Sequence, residues 1–166
     1  MNANLENEFI VDKQNNTLTT RREFAAAKKL VWDCHTKSEL LDQWYAPKSF
    51  TTETKHMDFR VGGYWHFAMI DPQGQKYWNR ADYLNIEPID SFTYSDGFSD
   101  ETGALNPAMP NSKVSMSFFD KAENTVVQSV VNYASLADLE KVIEMGVQEG
   151  IKSTQDRLVE LLAKLS

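Results

Sequence analysis

From Phe50 to Tyr133 apolar and polar residues alternate with a period of two, the pattern of strands with one buried face. Strands are predicted at Phe50–Phe59, Gly63–Ile70, Lys76–Ile86, Ser91–Ser95, Lys113–Asp120 and Thr125–Tyr133. Turn-forming clusters separate them at Val61-Gly62-Gly63, Asp71-Pro72-Gln73-Gly74, Glu87-Pro88 and Lys121-Ala122-Glu123-Asn124. Such short connections favour antiparallel neighbours. The exception is Asp96 to Ser112, a long connection carrying Gly97, Gly103, Pro107 and Pro110. Long loops are uncommon and often functional when ordered, and Phe98, Leu105 and Met109 are apolar residues that a purely solvated loop does not need.

Upstream, Phe9-Ile10-Val11 and Thr17–Phe24 are predicted to pair around the turn-forming Asp12–Asn16, with Leu18, Thr20, Arg22 and Phe24 on one face. Residues 1–8 read as a loose end before a single domain over 9–166. Ala25–Trp32 has high helix propensity. Thr36–Leu41 starts a second short helix, with Thr36 or Ser38 as N-cap and Glu39 placed to reach back to Thr36, and Pro47 bounds it. After the strands, Ser135–Leu165 contains no proline. Its residues Val147, Ile151, Leu158, Leu162 and Leu165, flanked by Val159 and Leu161, draw one stripe along a long helix. Two glycines four apart, Gly146 and Gly150, are expected to allow close helix–sheet approach, with ligand room or a helix break at Gly146 as alternatives. The stripe needs an apolar surface, and the strands supply it.

The chain has 166 residues, 42% hydrophobic and 25% charged, which suits one globular domain. A net charge of -7 without a basic block argues against nucleic-acid binding. No signal-peptide pattern or membrane-span length of apolar residues occurs, and Cys34 is the only cysteine, so a cytoplasmic setting is expected.

Five stretches in the same order resemble one family. They are Phe24-Ala25-Ala26-Ala27 with Leu30-Val31-Trp32; Glu39–Pro47, ending in Trp44-Tyr45-Ala46-Pro47; Asp58–Gly63 with its paired glycines; Asp82–Pro88; and Ser135–Glu140 with Met145–Gly150. Together they are similar to the SRPBCC superfamily, in the branch named after the activator of the heat-shock-protein-90 ATPase, over about Phe9 to Leu162. The resemblance implies an α+β helix-grip (START-like, birch-pollen-allergen-like) fold. In it a curved antiparallel sheet of about seven strands wraps the C-terminal helix, two short helices follow the first strand, and an apolar cavity often lies between helix and sheet. Many members carry Trp where this chain has Ile151, which either enlarges that cavity or is compensated by neighbours.

If the inner faces are those of Trp65, Phe67 and Met69, of Asn79, Ala81 and Tyr83, and of Phe92 and Tyr94, they line a pocket. Met145, Gln148, Ile151, Lys152 and Gln155 face them from the helix, and Phe98 joins from the long loop. Asn79, Tyr83 and Gln155 are the orienting polar groups of such a pocket, and a filled core without ligand is the competing reading. Gly62-Gly63 reads as a tight hairpin, since no helix follows for an anion site. His35, His56 and His66 are scattered, so no metal or cofactor is expected. His66 is expected to face outward, opposite Trp65 and Phe67, and Arg80 and Asp82 to pair on one face. Cys34 reads as packed, not reactive.

Three functions follow, in order. The first is a monomeric module binding a hydrophobic or aromatic, lipid- or polyketide-like molecule. The second is a protein-interaction domain with a chaperone partner, as the branch name implies. The third is a cyclase- or hydrolase-type enzyme, which needs an acid or base inside the cavity with a strongly perturbed pKa.

Overall fold

In the computed structural model, which describes residues 5–166, the alternating stretches become β1 (Asn7–Asp12), β2 (Thr17–Phe24), β3 (Thr51–Met57), β4 (Tyr64–Ile70), β5 (Lys76–Glu87), β6 (Ser91–Phe98), β7 (Ser112–Lys121) and β8 (Asn124–Tyr133). They form one antiparallel sheet in the order β1-β2-β8-β7-β6-β5-β4-β3. The count is eight, where the resemblance implies about seven. Asn7 and Glu8, expected in a loose end, pair with Arg22 and Arg21; the rest of that expectation, at 1–4, lies outside the described residues.

Helices α1 (Lys28–Thr36) and α2 (Ser38–Leu41) carry the chain from β2 to the far edge at β3. Helix α1 starts later than the propensity of Ala25-Ala26-Ala27 suggests, because the buried Thr125 hydroxyl donates to the Ala26 carbonyl at 2.8 Å and holds that residue outside the helix. The expected capping box is absent. Thr36 donates its hydroxyl back to the Trp32 carbonyl at 2.9 Å, and the N-cap of α2 is Lys37. At the end of α1 the Trp44 indole N–H donates to the Cys34 carbonyl at 2.9 Å, satisfying one of the acceptors a helix terminus exposes.

The C-terminal tail is two helices, α3 (Leu136–Glu144) and α4 (Val147–Leu165). The Ser135 side chain accepts from the Asp138 N–H at 3.1 Å and caps α3. Gly146, at φ +85°, ends it in the left-handed region. Close approach is the reason for neither glycine, because a Cβ at Gly146 or Gly150 would meet nothing within 4 Å; the break accounts for Gly146. Opposite outcomes are therefore expected from the same substitution. Gly150→Ala should stabilise by up to about 1 kcal/mol through helix propensity. Gly146→Ala should destabilise by about 1–2 kcal/mol through left-handed strain. Urea unfolding of both variants checks this, and equal effects would contradict the assignment.

Leu158, Leu161 and Leu162 of α4 are buried against the sheet, whereas Leu165 and Val159 are exposed, so the stripe narrows towards the C-terminus. Arg157 docks the helix onto the segment after α2. Its guanidinium donates to the carbonyls of Ala46 at 2.8 Å and Phe50 at 3.0 Å. Across the inner face of the sheet Arg22 pairs with Asp156 at 2.8 Å. The paired glycines make the expected hairpin, where a Cβ at Gly63 would collide with the Asp58 carbonyl. Among the described residues no helix is long and apolar enough to cross a membrane.

Candidate functional site

Inward positions on β4 to β8 do not meet α4 everywhere. A cavity of about 470 Å³ remains between sheet and helix, within the size range of small-molecule sites. It reaches the surface beside Met145 and Gly146, which are both exposed and part of its wall. Gly150 and Ile151 leave space on the helix side, and Phe98 and Pro110 bring the ends of the long connection to the rim.

The residues expected to line a pocket are largely brought together. Trp65, Met69, Asn79, Ala81, Tyr83, Phe92, Tyr94 and Phe98 line it from the sheet, and Met145, Ile151 and Gln155 from the helical side. Three do not. Phe67 is buried behind the wall, stacked on Trp65 at 3.7 Å between ring centroids. Gln148 is exposed. Lys152 is exposed and pairs with Asp156 at 3.1 Å, one turn along the helix and away from the cavity. The face of α4 turned to the cavity is that of Val147, Gly150, Ile151, Thr154, Gln155 and Leu158, and at 100° per residue Gln148 and Lys152 fall at its solvent edge.

Four further groups carry the polar chemistry: Asp96, Tyr45, Tyr133 and His35. Asp96 belongs to β6, which runs past the predicted end at Ser95 to Phe98. Alternation from Phe92 through Tyr94 puts its side chain on the inner face, and that was the signal available in the sequence. The strand registers set Trp65, Ala81, Asp96, Ser112 and Tyr133 side by side across β4 to β8. The small side chains of Ala81 and Ser112 flank Asp96 and leave it facing the cavity. Burial pushes its carboxyl up to about 6, and the Gly97 N–H offsets this only in part. Tyr45, from the segment that Arg157 clamps, is raised to about 12 by burial and then by the charge of Asp96. Tyr133 is raised to about 12 by the same two causes, and burial keeps Tyr83 and Tyr94 protonated as well. All four phenols therefore remain O–H donors at neutral pH.

His35 is buried on α1 and edge-on to Trp44 and Phe118 at 5.0 and 5.1 Å between centroids. Its Nδ1 lies 2.8 Å from the Val31 carbonyl, an acceptor, which makes Nδ1–H the donor and leaves Nε2 as an acceptor. Burial lowers its pKa to about 4, so the ring is neutral. His66 faces outward as expected, yet it is buried, because residues of the 99–105 segment fold over it. Its Nε2 lies 3.0 Å from the Asp100 carbonyl, and Gly103 sits on its ring. Arg80 pairs with Asp82 at 2.9 Å on that outer face and donates to the Gly103 carbonyl at 3.2 Å. Cys34 is fully buried with its thiol pushed up to about 11, a packed residue. No group of three or more potential metal ligands occurs among the described residues.

Residues 25–163 match the family described as Activator of Hsp90 ATPase homolog 1-like protein. Among solved structures the chain is similar to protein Ms6760 from Mycobacterium smegmatis, at 30% identity and TM-score 0.86, covering 95% of this chain and 96% of that one. A protein from Staphylococcus epidermidis shares 27% identity, with TM-score 0.83 and 94% of each chain covered. The AHSA1 protein from Silicibacter pomeroyi, at 21% identity and TM-score 0.70 over 90% of this chain and 99% of that one, shares the fold. No curated protein matches the chain.

Proposed function

The chain belongs to the Activator of Hsp90 ATPase homolog 1-like family, and from that footing we propose that it binds a hydrophobic or aromatic small molecule in the cavity between sheet and helix. A fold of this family fits either a small-molecule or a protein partner. The observation that favours the first is the cavity itself, about 470 Å³ left unfilled in a core otherwise packed with aromatic rings. Proteins whose helix and sheet serve only as a scaffold fill such space, since a cavity costs stability in proportion to its volume. The apolar wall supplies affinity, and Asn79, Gln155 and the phenols supply orientation.

A two-dimensional NMR titration with flavonoids, fatty acids, sterols and aromatic polyketides tests this. Saturable shifts are expected at Trp65, Tyr83 and Ile151. Ile151→Trp should fold normally, because Ile151 borders open space, and should lose the shifts by filling the cavity. Silence of the wild type towards every class would refute the proposal. A catalytic reading ranks second, and Asp96 is the observation that favours it, as an acid or base poised near neutrality. Mass spectrometry of the recovered ligand separates the two: an unchanged ligand supports binding alone.

A further inference from the structure

We propose that the cavity selects ligands bearing a protonated amine, which pairs with the Asp96 carboxylate while the rings and hydroxyls of Tyr45, Tyr94 and Tyr133 surround it. The inference rests on the reading of the cavity as a binding site and adds the chemical class of its occupant.

The argument starts from what faces Asp96. On its own strand the inward neighbours are Tyr94 and Phe98. On the adjacent strands they are Ala81 and Ser112, and Tyr133 lies one strand beyond. Tyr83 comes from β5, Tyr45 from the segment after α2, and His35 from α1. From α4 the facing groups are Thr154 and Gln155, both uncharged. No lysine or arginine lines the cavity, and none forms a salt bridge with Asp96 among the described residues. His35 stays neutral above about pH 4. Arg22, inward on β2 between the lining residues Thr20 and Phe24, is paired with Asp156, so among the described residues the cavity wall has one anionic group and no cation.

A carboxylate in such a setting is costly unless a partner of opposite charge shares the site. The described residues supply none, and a ligand is the source we assign. Two further features favour an ammonium over a neutral donor. Tyrosine faces attract cations, most strongly where water is excluded. The phenols beside Asp96 are already donors, so they leave acceptor lone pairs for the remaining N–H groups of an ammonium. A carboxylate or phosphate ligand would meet repulsion from Asp96 with no arginine or lysine to offset it.

Matched amine, alcohol and carboxylate probes on two scaffolds, naphthylethyl and decyl (the latter below its micelle concentration), test the idea by the fluorescence of Trp44 and Trp65 in the cavity wall. The amine is expected to bind the wild type about tenfold to a hundredfold more tightly than the alcohol, the range for a buried charge-assisted pair. Asp96→Asn should erase that preference, amine and alcohol binding the variant equally. Amine affinity should rise between pH 5 and pH 7 in the wild type and stay flat in the variant. Equal amine and alcohol affinity, a preference for the carboxylate, or a preference that survives Asp96→Asn would overturn the inference and leave the binding reading intact. If all three probes are silent the inference falls, and the binding reading falls with it only if the flavonoid, lipid and polyketide panel is silent too.

Discussion

Replacing Asp96 by asparagine is expected to change stability relative to the wild type by an amount that grows in the variant's favour by about 2 kcal/mol between pH 4 and pH 8. The folded-state pKa of Asp96, about 6, lies above its ordinary 3.8. Between those values the folded protein holds more protons than the unfolded chain, so wild-type stability falls as pH rises through the window. Above pH 6 the full cost of an ionised carboxylate in the cavity remains, with a ceiling of about 3 kcal/mol. Asparagine does not titrate, and the difference between the two proteins cancels other titrating groups. Roughly 4–8 °C in melting temperature should separate the shifts at the two ends of the range. A difference independent of pH would mean that Asp96 titrates as if in water.

His35 runs the other way. Its folded-state pKa, about 4, lies below the ordinary 6.5, so between these values the unfolded chain holds more protons and stability rises with pH. In the wild type the two groups oppose each other over most of this interval. The Asp96→Asn variant leaves the His35 slope alone, and its stability should climb more steeply than that of the wild type from pH 4 to pH 6.

The largest single loss is expected from Trp32→Ala, about 3–5 kcal/mol. Trp32 is buried on α1 and meets three rings edge-on, Phe59 at 5.9 Å, Phe92 at 5.7 Å and Phe118 at 5.2 Å between centroids. These rings come from the segment after β3, from β6 and from β7, so one side chain ties α1 to distant parts of the sheet. Such pairs are worth about 0.5–1.5 kcal/mol each beyond their burial. Trp32→Phe should recover part of the loss. Chemical denaturation of both variants is the measurement, and a cost below about 1 kcal/mol for the alanine would show that the cluster does not anchor α1.

These residues also show what was legible in advance. Phe92 and Tyr94 were readable as inward because a strand repeats every two residues. Asp96 continues the same alternation, but a carboxylate next to glycine reads as the start of a loop. Only its pairing with Ala81 and Ser112 keeps it in the strand. His66 was readable as outward but not as buried, since the cover comes from residues 100–103, far along the chain. Gln148 and Lys152 were readable as neighbours of Ile151 and Gln155 on one side of α4, but how far the cavity reaches round that helix is set by its docking, which leaves both exposed.

By itself the sequence determined the strand boundaries to within a few residues, the antiparallel pairing of neighbours, the two short helices and the buried leucines of α4, Leu158, Leu161 and Leu162. These depend on periodicity and turn chemistry, which are local. The tertiary structure alone decided that the core is left open, that Asp96 enters the cavity with no cation beside it among the described residues, and that Tyr45, Tyr133 and His35 converge near it. Each of these depends on side chains distant in sequence meeting or failing to meet, and desolvation and packing volume are fixed only once all the elements have docked.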